Sequence, residues 1–373
     1  MNSVKTTFAV LAWLTLLYGK GNGQPLETGL LASPTRPYDS TLAPMSLHTK
    51  GARVVDTNNR PVRLCGVNIA SLEYRTDGDH VQESMNRAIN DWKVNLIRLP
   101  LAQDRWFGKM KDQHDGGAAY RAVVDHLVDT CAAAHVYIDL DLHWSDCGKW
   151  VNAGGRLGQH NMPDPLSIVF WHDVATRYKN HPNVIFGLYN EPHDVSWGVW
   201  RNGGMADDKP PDWNPDQTRT RYDSVGMQQL YDAVRATGAQ NVVTVAGLDW
   251  GFDLSGVLDG HAITGTNYVY ETHPYPNKKD WDKSFGALSL KYPLYVGEWG
   301  FGGQSVGGTN GLAYGQRLMD YVKQHDIPMW TAWDFSATAG PTMFKNWSYE
   351  PTVFGKFVKK QLIQAAAVRD SIK

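Results

Sequence analysis

Eight short apolar segments, separated by stretches of helical character, constrain the fold more than any other feature of this sequence. Each segment is rich in β-branched or aromatic residues and has the length of a strand. Strands that alternate with helices form a parallel sheet, because each crossover helix covers one face of that sheet. The segments begin at residues 63, 94, 136, 183, 241, 267, 292 and 327.

Eight such units predict an α/β fold, specifically a closed (β/α)8 TIM barrel that forms a single domain over residues 47–373. A doubly wound open sheet is the alternative, but no G-x-G-x-x-G follows the first strand. Before the barrel, residues 47–64 predict a small hairpin with Asn58-Asn59 at its turn. Helices are predicted at residues 79–92, 120–134, 165–180, 222–238 and 353–368.

Composition excludes several classes of protein. The chain has 373 residues, of which 42% are hydrophobic and 20% charged, so it is not disordered as a whole. The formal net charge of −2 shows no basic excess, so we expect no nucleic-acid partner and no stable membrane association. Fifteen Trp and seventeen Tyr are more than a core readily absorbs, which favours a neutral ligand bound on aromatic surfaces.

The N-terminus has the layout of a secretory signal peptide over residues 1–23. Lys5 precedes an apolar stretch from Phe8 to Tyr18, and small residues follow around Gly21 and Gly23. The apolar stretch is too short to span a bilayer, so we expect a secreted, extracellular protein rather than one with an N-terminal anchor. Residues 24–46 are rich in Pro, Ser, Thr and Gly and are interpreted as a linker or an extended lead-in.

Three cysteines, Cys65, Cys131 and Cys147, permit at most one disulfide, and the pairing stays open. No C-x-x-C or H-E-x-x-H motif is present, so no metal and no cofactor are expected. We also expect a monomer.

Polar side chains gather where the apolar segments end, which is where a (β/α)8 barrel carries its catalytic groups. The segment "NVIFGLYNEPHD" ends in Asn190 and Glu191, and "YPLYVGEWG" ends in Glu298. Taken alone, Asn-Glu-Pro is ordinary turn composition. Other strand ends also carry polar or aromatic residues, and this convergence favours a functional site: Arg98, His143, His273, Tyr275 and Trp333.

Two carboxylates that face each other across a barrel mouth suit the cleavage of a glycosidic bond. One carboxyl group protonates the leaving oxygen, and the other, ionised, acts at the anomeric carbon. Glu191 and Glu298 are far apart in sequence, so only the fold can bring them together. A separation of about 5 to 5.5 Å between the carboxyl groups would indicate retention of configuration, and about 6.5 to 9.5 Å inversion.

The motifs "LYNEPHD", "YVGEWG", "RLP", "LHW" and "THPY" together resemble those of glycoside hydrolase family five, the cellulases. The resemblance extends from about Gly51 to the C-terminus. It implies a retaining mechanism on a β-linked polysaccharide, with cellulose-type β-1,4-glucan favoured; mannan, xyloglucan and β-1,3-glucan stay open as substrates. The eight family positions it fills are Arg98, His143, Asn190, Glu191, His273, Tyr275, Glu298 and Trp333.

The resemblance implies a role for each of these residues. Glu191 would be the acid/base and Glu298 the nucleophile, while Asn190 would contact the sugar 2-hydroxyl. The two histidines would bind sugar hydroxyls and order the carboxylates, and Trp333 would offer a ring face to the sugar.

Acid–base chemistry adds expectations about charge. Glu191 needs a raised pKa to keep its proton, and Glu298 needs a lowered one, which Arg98 and a hydrogen bond from Tyr275 would favour. Arg98 has a structural alternative as the ion-pair partner of Asp139 or Asp141, which alternate onto the same strand face as His143 and are expected inside the barrel.

Tryptophans near the strand ends are candidates for stacking on sugars, although about half are expected simply to pack. The stretch after the acid, residues 196–222, lacks periodicity and is interpreted as a long loop that walls the cleft. The candidates are Trp144, Trp197, Trp200, Trp213 and Trp299, with Trp150, Trp250 and Trp347 in comparable positions.

Two rival functions are disfavoured. "GQSVG", residues 303–307, matches the nucleophile elbow of serine hydrolases, but Ser305 lies in a Gly-rich loop and no His follows His325. A barrel that binds polysaccharide without cleaving it would be expected to lack one carboxylate, and both are present. "NWS" at Asn346 is a formal N-glycosylation acceptor.

Overall fold

A computed structural model describes residues 35–36, 43–145, 159–208, 220–302 and 311–371. Within these ranges, the eight predicted apolar segments all contain strands of one closed barrel, which confirms the predicted fold. The strands are β1 (Leu47–Lys50), β2 (Arg53–Asp56), β3 (Leu64–Asn68), β4 (Leu96–Ala102), β5 (Tyr137–Trp144), β6 (Val184–Gly187), β7 (Gly204–Asp208), β8 (Thr220–Ser224), β9 (Val243–Ala246), β10 (Tyr268–Thr272), β11 (Leu294–Val296) and β12 (Met329–Ala332).

The barrel runs β3-β4-β5-β6-β9-β10-β11-β12 and closes back onto β3, with every neighbouring pair parallel. Helices connect most of the strands and cover the outside. They are α1 (Val81–Trp92), α2 (Gln103–Trp106), α3 (Ala118–Ala133), α4 (Leu166–Tyr178), α5 (Trp197–Asn202), α6 (Met227–Ala236), α7 (Trp281–Ser284), α8 (Gly311–Gln324) and α9 (Val353–Ser371), with a short 3-10 helix at Gly286–Leu290 and an irregular helical turn at Val257–His261.

The barrel strands alternate between an apolar outer face and an interior that is polar towards the C-terminal ends. On β4, Ile97 and Leu99 belong to the main hydrophobic core, whereas Arg98 between them contacts acidic side chains from other strands. Asp139 and Asp141 on β5 are completely or almost completely buried, as predicted for barrel-interior groups. The fold therefore places a buried charged layer beneath the barrel mouth.

The opposite end of the barrel is closed by the hairpin of β1 and β2. Leu47 and Val54 form a second apolar cluster with residues at the N-terminal ends of barrel strands, including Leu64 and Leu96. The chain does reverse at Asn58-Asn59, where Val55 and Pro61 form an antiparallel bridge, but β1 and β2 are joined earlier, at residues 51–52, by a turn that was not predicted. Asn58-Asn59 forms the next turn, where the Asp56 side chain accepts a hydrogen bond from the backbone of Asn58.

The predicted helices are present, but two segments differ from expectation. The helix predicted at 222–238 begins only at Met227, because the residues up to and including Ser224 pair with β7 as strand β8. The stretch 196–222 is not a plain loop, since it contains α5 and this β7–β8 hairpin. Helix α8 was not predicted.

Part of the predicted lead-in contacts the barrel. Arg36 donates two hydrogen bonds to Asp129 on α3, at 3.2 and 2.8 Å, and its backbone N–H donates to the carbonyl of Arg177 on α4. In the described parts of the chain, no helix combines the length and apolarity needed to cross a membrane. Cys65 and Cys131 are buried free thiols, and Cys147 and the predicted signal peptide lie outside the described residues.

Candidate active site

Glu298 follows β11 and lies almost completely buried at the centre of the barrel mouth, with 4% of its surface exposed. Its Oε1 accepts a hydrogen bond from Arg98 Nη1 at 2.8 Å, and its Oε2 accepts one from the Tyr275 hydroxyl at 2.9 Å. Both neighbours are the ones predicted for a nucleophilic carboxylate. The two bonds fix the orientation of the carboxylate.

Glu191 follows β6 and faces Glu298. His273 Nδ1 lies 2.9 Å from Glu191 Oε1 and 4.0 Å from Glu298 Oε2. One oxygen of each carboxylate and this ring nitrogen lie within 4.8 Å of one another. The side chain of Glu191 is 15% exposed, so it is the more accessible carboxylate of the two. The fold therefore brings together two residues that are remote in sequence.

Asn190, His143 and Trp333 form the side of the site next to Glu191. Asn190 Oδ1 accepts a hydrogen bond from Arg98 Nη2 at 2.8 Å, and Asn190 Nδ2 lies 3.3 Å from His143 Nε2. His143 Nδ1 lies 2.7 Å from Asp141 Oδ2. The ring of Trp333 is stacked on His143, with centroids 5.3 Å apart and planes 8° from parallel. This stack fixes an aromatic face beside the carboxylates.

Arg98 connects these groups, and its contacts include both Glu298 and the Asp141 expected as its structural ion-pair partner. It is completely buried, and its guanidinium contacts Glu298 at 2.8 Å, Glu271 at 3.0 Å and Asp141 at 3.1 Å. It also donates to Asn68 Oδ1 at 3.0 Å. Because several of these partners lie on different strands, one cation holds the charged layer together.

The charge states of the two glutamates differ from the expectation. Burial raises the pKa of Glu298 above its ordinary value, and the opposing effects of His273 and Arg98 do not outweigh it. The pKa of Glu191 lies below its ordinary value: burial acts to raise it, but the hydrogen bond and charge of His273 prevail. In the unliganded protein the predicted order of the two pKa values is therefore wrong.

His273 is responsible for much of this reversal. It is completely buried, and although burial acts to lower its pKa, Glu298, Glu191 and Glu271 together raise that pKa to about 10. His273 is therefore an imidazolium at neutral pH. His143 also has a raised pKa, since Asp141 outweighs the effect of burial.

Carboxyl groups outnumber cations in the described part of the barrel mouth, so some must be protonated. Asp139 has no hydrogen-bond partner on either carboxyl oxygen, and burial raises the pKa of Asp139 and of Asp334 well above the ordinary value. Burial also raises the pKa of Glu73 to about 7. Glu73 and Asp334 were not among the predicted site residues, because neither belongs to a recognisable motif.

Glu271 is a further residue that the sequence analysis did not identify. Its carboxylate contacts His273, Arg98 and Thr244, and it is 2% exposed. The signal was available, because Glu271 precedes His273 by two residues in a strand and so shares its face. The same alternation did identify Asp139 and Asp141.

The sugar-stacking prediction is wrong for two of the tryptophans. Trp200 and Trp299 are completely buried. Trp200 donates its ring N–H to the carbonyl of Ala246, and Trp299 packs against Trp330 and Phe354 in the core. Residues whose rings are enclosed by the core cannot offer a face to a sugar. Apolar burial overrode their position near strand ends.

Trp144 and Trp197 differ in how close they lie to the site. Trp144 is partly exposed, and its ring centroid lies 6.4 Å from that of His143, beside the site. Trp197 is partly buried, and its described ring contacts are with Trp200 and His261, neither of which is a site residue. Trp150, Trp213 and Ser305 lie outside the described residues.

Trp250 lies next to the Glu191 segment. It is 45% exposed, its ring stacks on His193 with centroids 3.5 Å apart, and its backbone N–H donates to the carbonyl of Pro192. The adjacent Gly251 has a φ of +72°, and a Cβ there would meet the His273 ring at 2.8 Å. The glycine therefore lets this loop approach the site closely.

Gln159 was also missed by the sequence analysis. Its amide nitrogen lies 3.2 Å from the backbone carbonyl of Glu191, and its amide oxygen accepts a hydrogen bond from Asn190 at 3.2 Å. It thus supports both residues from a loop that carries no motif.

In the described ranges, Glu191, His273 and Glu298 are the one group of three His, Cys, Asp or Glu side chains close enough together to hold a metal ion. Protein groups already bind two of these side chains: Arg98 and Tyr275 donate hydrogen bonds to Glu298, and Glu271 contacts His273. Acid–base chemistry therefore accounts for the group.

A closed (β/α)8 barrel with two glutamates facing each other at the C-terminal ends of its strands defines a glycoside hydrolase. The chain matches the family model for cellulase, glycosyl hydrolase family 5, over residues 55–339. The chain therefore belongs to glycosyl hydrolase family 5.

The chain is also similar to individual known proteins. The chain is 24% identical to endoglucanase MaCel5A of Microbulbifer sp. (strain ALW1) over 78% of its length, and 25% identical to endoglucanase N of Pectobacterium atrosepticum over 85%. It spans 51% and 65% of the length of these two proteins. The crystal structure of beta-glucanase SdGluc5_26A from Saccharophagus degradans in complex with cellotetraose has a TM-score of 0.69 and 21% identity, covering 91% of this chain and all of that one.

Proposed function

We propose that this protein is a secreted, retaining endo-β-1,4-glucanase that cleaves cellulose-type polysaccharide without a cofactor. The observation that carries the proposal is the short distance across the site, because one oxygen of Glu191 and one of Glu298 lie within 4.8 Å of each other. This separation fits the short spacing of a retaining enzyme, about 5 to 5.5 Å, and not the spacing of about 6.5 to 9.5 Å that an inverting enzyme uses to place its water.

In the first step Glu298 attacks the anomeric carbon while Glu191 gives its proton to the leaving oxygen. The bonds from Arg98 and Tyr275 hold both oxygens of Glu298 in place for attack. The ionised Glu191 that results is stabilised by the His273 imidazolium, 2.9 Å away. In the second step Glu191 takes a proton from the water that releases the sugar.

Glu191 must hold a proton when the substrate reacts, although its pKa in the unliganded protein is low. A sugar bound over the site would cover the exposed part of Glu191 and remove its contact with water, which raises the pKa of a carboxyl group. The pKa of Glu191 then exceeds that of Glu298, and the one proton that the two carboxylates share lies on Glu191.

The substrate class rests on the aromatic surfaces and the relatives. Trp333, stacked on His143, offers a ring at the cleavage point, and Trp250 offers one beside the acid. Both named relatives are described as endoglucanases. Mannan, xyloglucan and β-1,3-glucan are the alternative substrates to test. Secretion rests on the pattern of residues 1–23, and we propose that the protein acts as a monomer.

The test is release of reducing sugar from carboxymethylcellulose, galactomannan, xyloglucan and β-1,3-glucan, with and without EDTA. We expect activity on carboxymethylcellulose that survives EDTA, and a first-formed product of β configuration by proton NMR. Activity confined to another polymer would change the substrate, an α product would exclude the retaining mechanism, and silence on all four would overturn the function.

The two glutamates are tested separately. Glu298→Ala and Glu191→Ala should each lower kcat by at least about 10³-fold while the fold remains, because each removes a group required in the transition state. On an aryl cellobioside, whose leaving group departs without an acid, azide should restore turnover in Glu191→Ala with a β-glycosyl azide as product, since it attacks the glycosyl-enzyme without a base. Glu83→Gln, an exposed carboxylate on α1, is the control and should behave as wild type. A fully active Glu298→Ala enzyme would end the hypothesis.

A further inference from the structure

His273 lies between two carboxylates inside the protein. Its Nδ1 is 2.9 Å from Glu191 Oε1, its Nε2 is 3.0 Å from Glu271 Oε1, and the ring is completely buried. A neutral imidazole carries one N–H and one acceptor nitrogen, so it satisfies only one of two ionised carboxylates. Both hydrogen bonds form together when the ring is an imidazolium.

Glu271 is fixed more firmly than a packing residue requires. Its Oε1 also contacts Arg98 Nε at 3.0 Å, and its Oε2 accepts a hydrogen bond from the Thr244 hydroxyl at 2.8 Å. The chain leaves space for this carboxylate at Gly297, where a Cβ would lie 1.8 Å from Glu271 Oε1. The position of the carboxylate under the histidine is therefore built into strands β4, β9 and β10 and the residue before Glu298.

We propose that Glu271 is a positioning residue that keeps His273 an imidazolium, and that this cation sets the pH range over which Glu191 and Glu298 turn over substrate. The inference rests on the proposed hydrolase function. Glu271 touches no substrate; it acts through His273, which is in contact with the acid.

The charged groups around His273 decide the direction of the effect. Glu191 and Glu298 face it from the ends of β6 and β11, Glu271 faces it from β10, and Arg98 from β4 contacts both Glu271 and Glu298. Two acidic residues of β5, Asp139 and Asp141, lie near Glu271. The Tyr275 hydroxyl donates a hydrogen bond to Glu298. Among these neighbours only Arg98 opposes the charge of the imidazolium.

Glu271→Gln removes the carboxylate and keeps the size of the side chain. His273 then loses one of the anions that raise its pKa from its ordinary value to about 10, and it becomes neutral within the working range. Without the nearby cation, the pKa values of both catalytic carboxylates rise. Both limbs of the profile of kcat/KM against pH are therefore expected to move to higher pH by about one unit.

The pH profile would respond differently if Glu271 only packed in the core, or if it only repelled the catalytic carboxylates directly. Packing alone would lower kcat without moving the profile. If His273 stayed charged, loss of the negative Glu271 would move both limbs to lower pH. Thr244→Val is the matched control, because it removes one hydrogen bond to Glu271 and no charge, and its profile should match wild type. An unmoved or acid-shifted profile in Glu271→Gln would overturn the proposal.

Nitrogen-15 NMR of the histidine rings tests the same point without activity. The signals of His273, assigned with a His273→Asn variant, should show both ring nitrogens protonated at pH 8 in the wild type and a neutral ring at pH 8 in Glu271→Gln. A wild-type His273 that is neutral at pH 8 would overturn the proposal even if the variant fails to fold. Failure of the hydrolase function would appear separately, as an inactive wild type in which His273 is still charged.

Discussion

Trp250 is the residue whose position makes the most specific claim about substrate binding. Its exposed ring stacks on His193, whose Nδ1 lies 2.8 Å from the carbonyl of Glu191. In the proposed mechanism, a group beside the acid contacts the sugar that leaves. Stacking of this kind contributes about 0.5 to 1.5 kcal/mol, so Trp250→Ala should lower kcat/KM on cello-oligosaccharides by about 2- to 12-fold.

The contrast between substrates tests this location. β-Cellobiosyl fluoride has no leaving sugar, so Trp250→Ala should hydrolyse it at the wild-type rate. Trp347, another stacking candidate, also stacks on a histidine, His80, with ring centroids 4.2 Å apart, and Trp347→Ala should be compared on the same two substrates. An equal loss on both substrates would place Trp250 outside the leaving-group side.

For single residues, the sequence predicts where a side chain lies better than it predicts the pKa or the exposure of that side chain. Asn190, Glu191 and Glu298 end apolar strands, so their place at the barrel mouth follows from the strand pattern. The order of the two pKa values does not, because it depends on His273 lying 2.9 Å from one carboxylate and 4.0 Å from the other. Exposure is equally hidden: Trp250 and Trp299 both follow strands, but only one reaches the surface.

Among the elements, the β1–β2 hairpin serves stability and the opposite ends of the barrel strands serve chemistry. Leu47 is 6% exposed in the apolar cluster that closes the N-terminal end of the barrel. Leu47→Ala should lower the free energy of unfolding by about 2 to 4 kcal/mol, measured by urea denaturation, with kcat unchanged. His48→Ala, on the other face of β1, should change stability by less than about 0.5 kcal/mol. A large loss of kcat in folded Leu47→Ala would link the two ends.

Strands buried on both faces are the elements that the sequence shows most clearly. They read as continuous apolar runs, which is why all eight barrel strands were predicted. β7 and β8, "GMADD" and "TRYDS", carry no such run; their pairing with each other defines them. Helix α5 is six residues long, too short for periodicity to show.

For the whole molecule, composition conceals how charge is distributed. The formal net charge of −2 is nearly neutral, yet the barrel mouth buries an excess of carboxyl groups around Arg98. No count of residue types reveals this, because the segregation arises when strands remote in sequence become neighbours. The protein therefore keeps protons in its interior that an unfolded chain would release.

This excess of protons predicts how stability depends on pH. Between pH 7 and 9, folded His273, with a pKa of about 10, holds a proton that an unfolded histidine has lost. Asp139 and Asp334, whose pKa values burial raises well above the ordinary value, act in the same direction. When the folded state binds more protons, stability falls as pH rises, by about 1.4 kcal/mol per pH unit for each proton. The free energy of unfolding should therefore decrease steadily from pH 7 to 9.

Urea denaturation at pH 7, 8 and 9 measures this slope and hence the number of retained protons. His273→Asn should reduce the slope by about one proton, because the variant has no imidazolium to lose. His126→Asn, on the surface of α3, should leave the slope unchanged. Stability that is flat or rising between pH 7 and 9 would show that the interior carries no excess of protons, and that the His273 imidazolium and the protonated carboxyl groups beneath the site are absent.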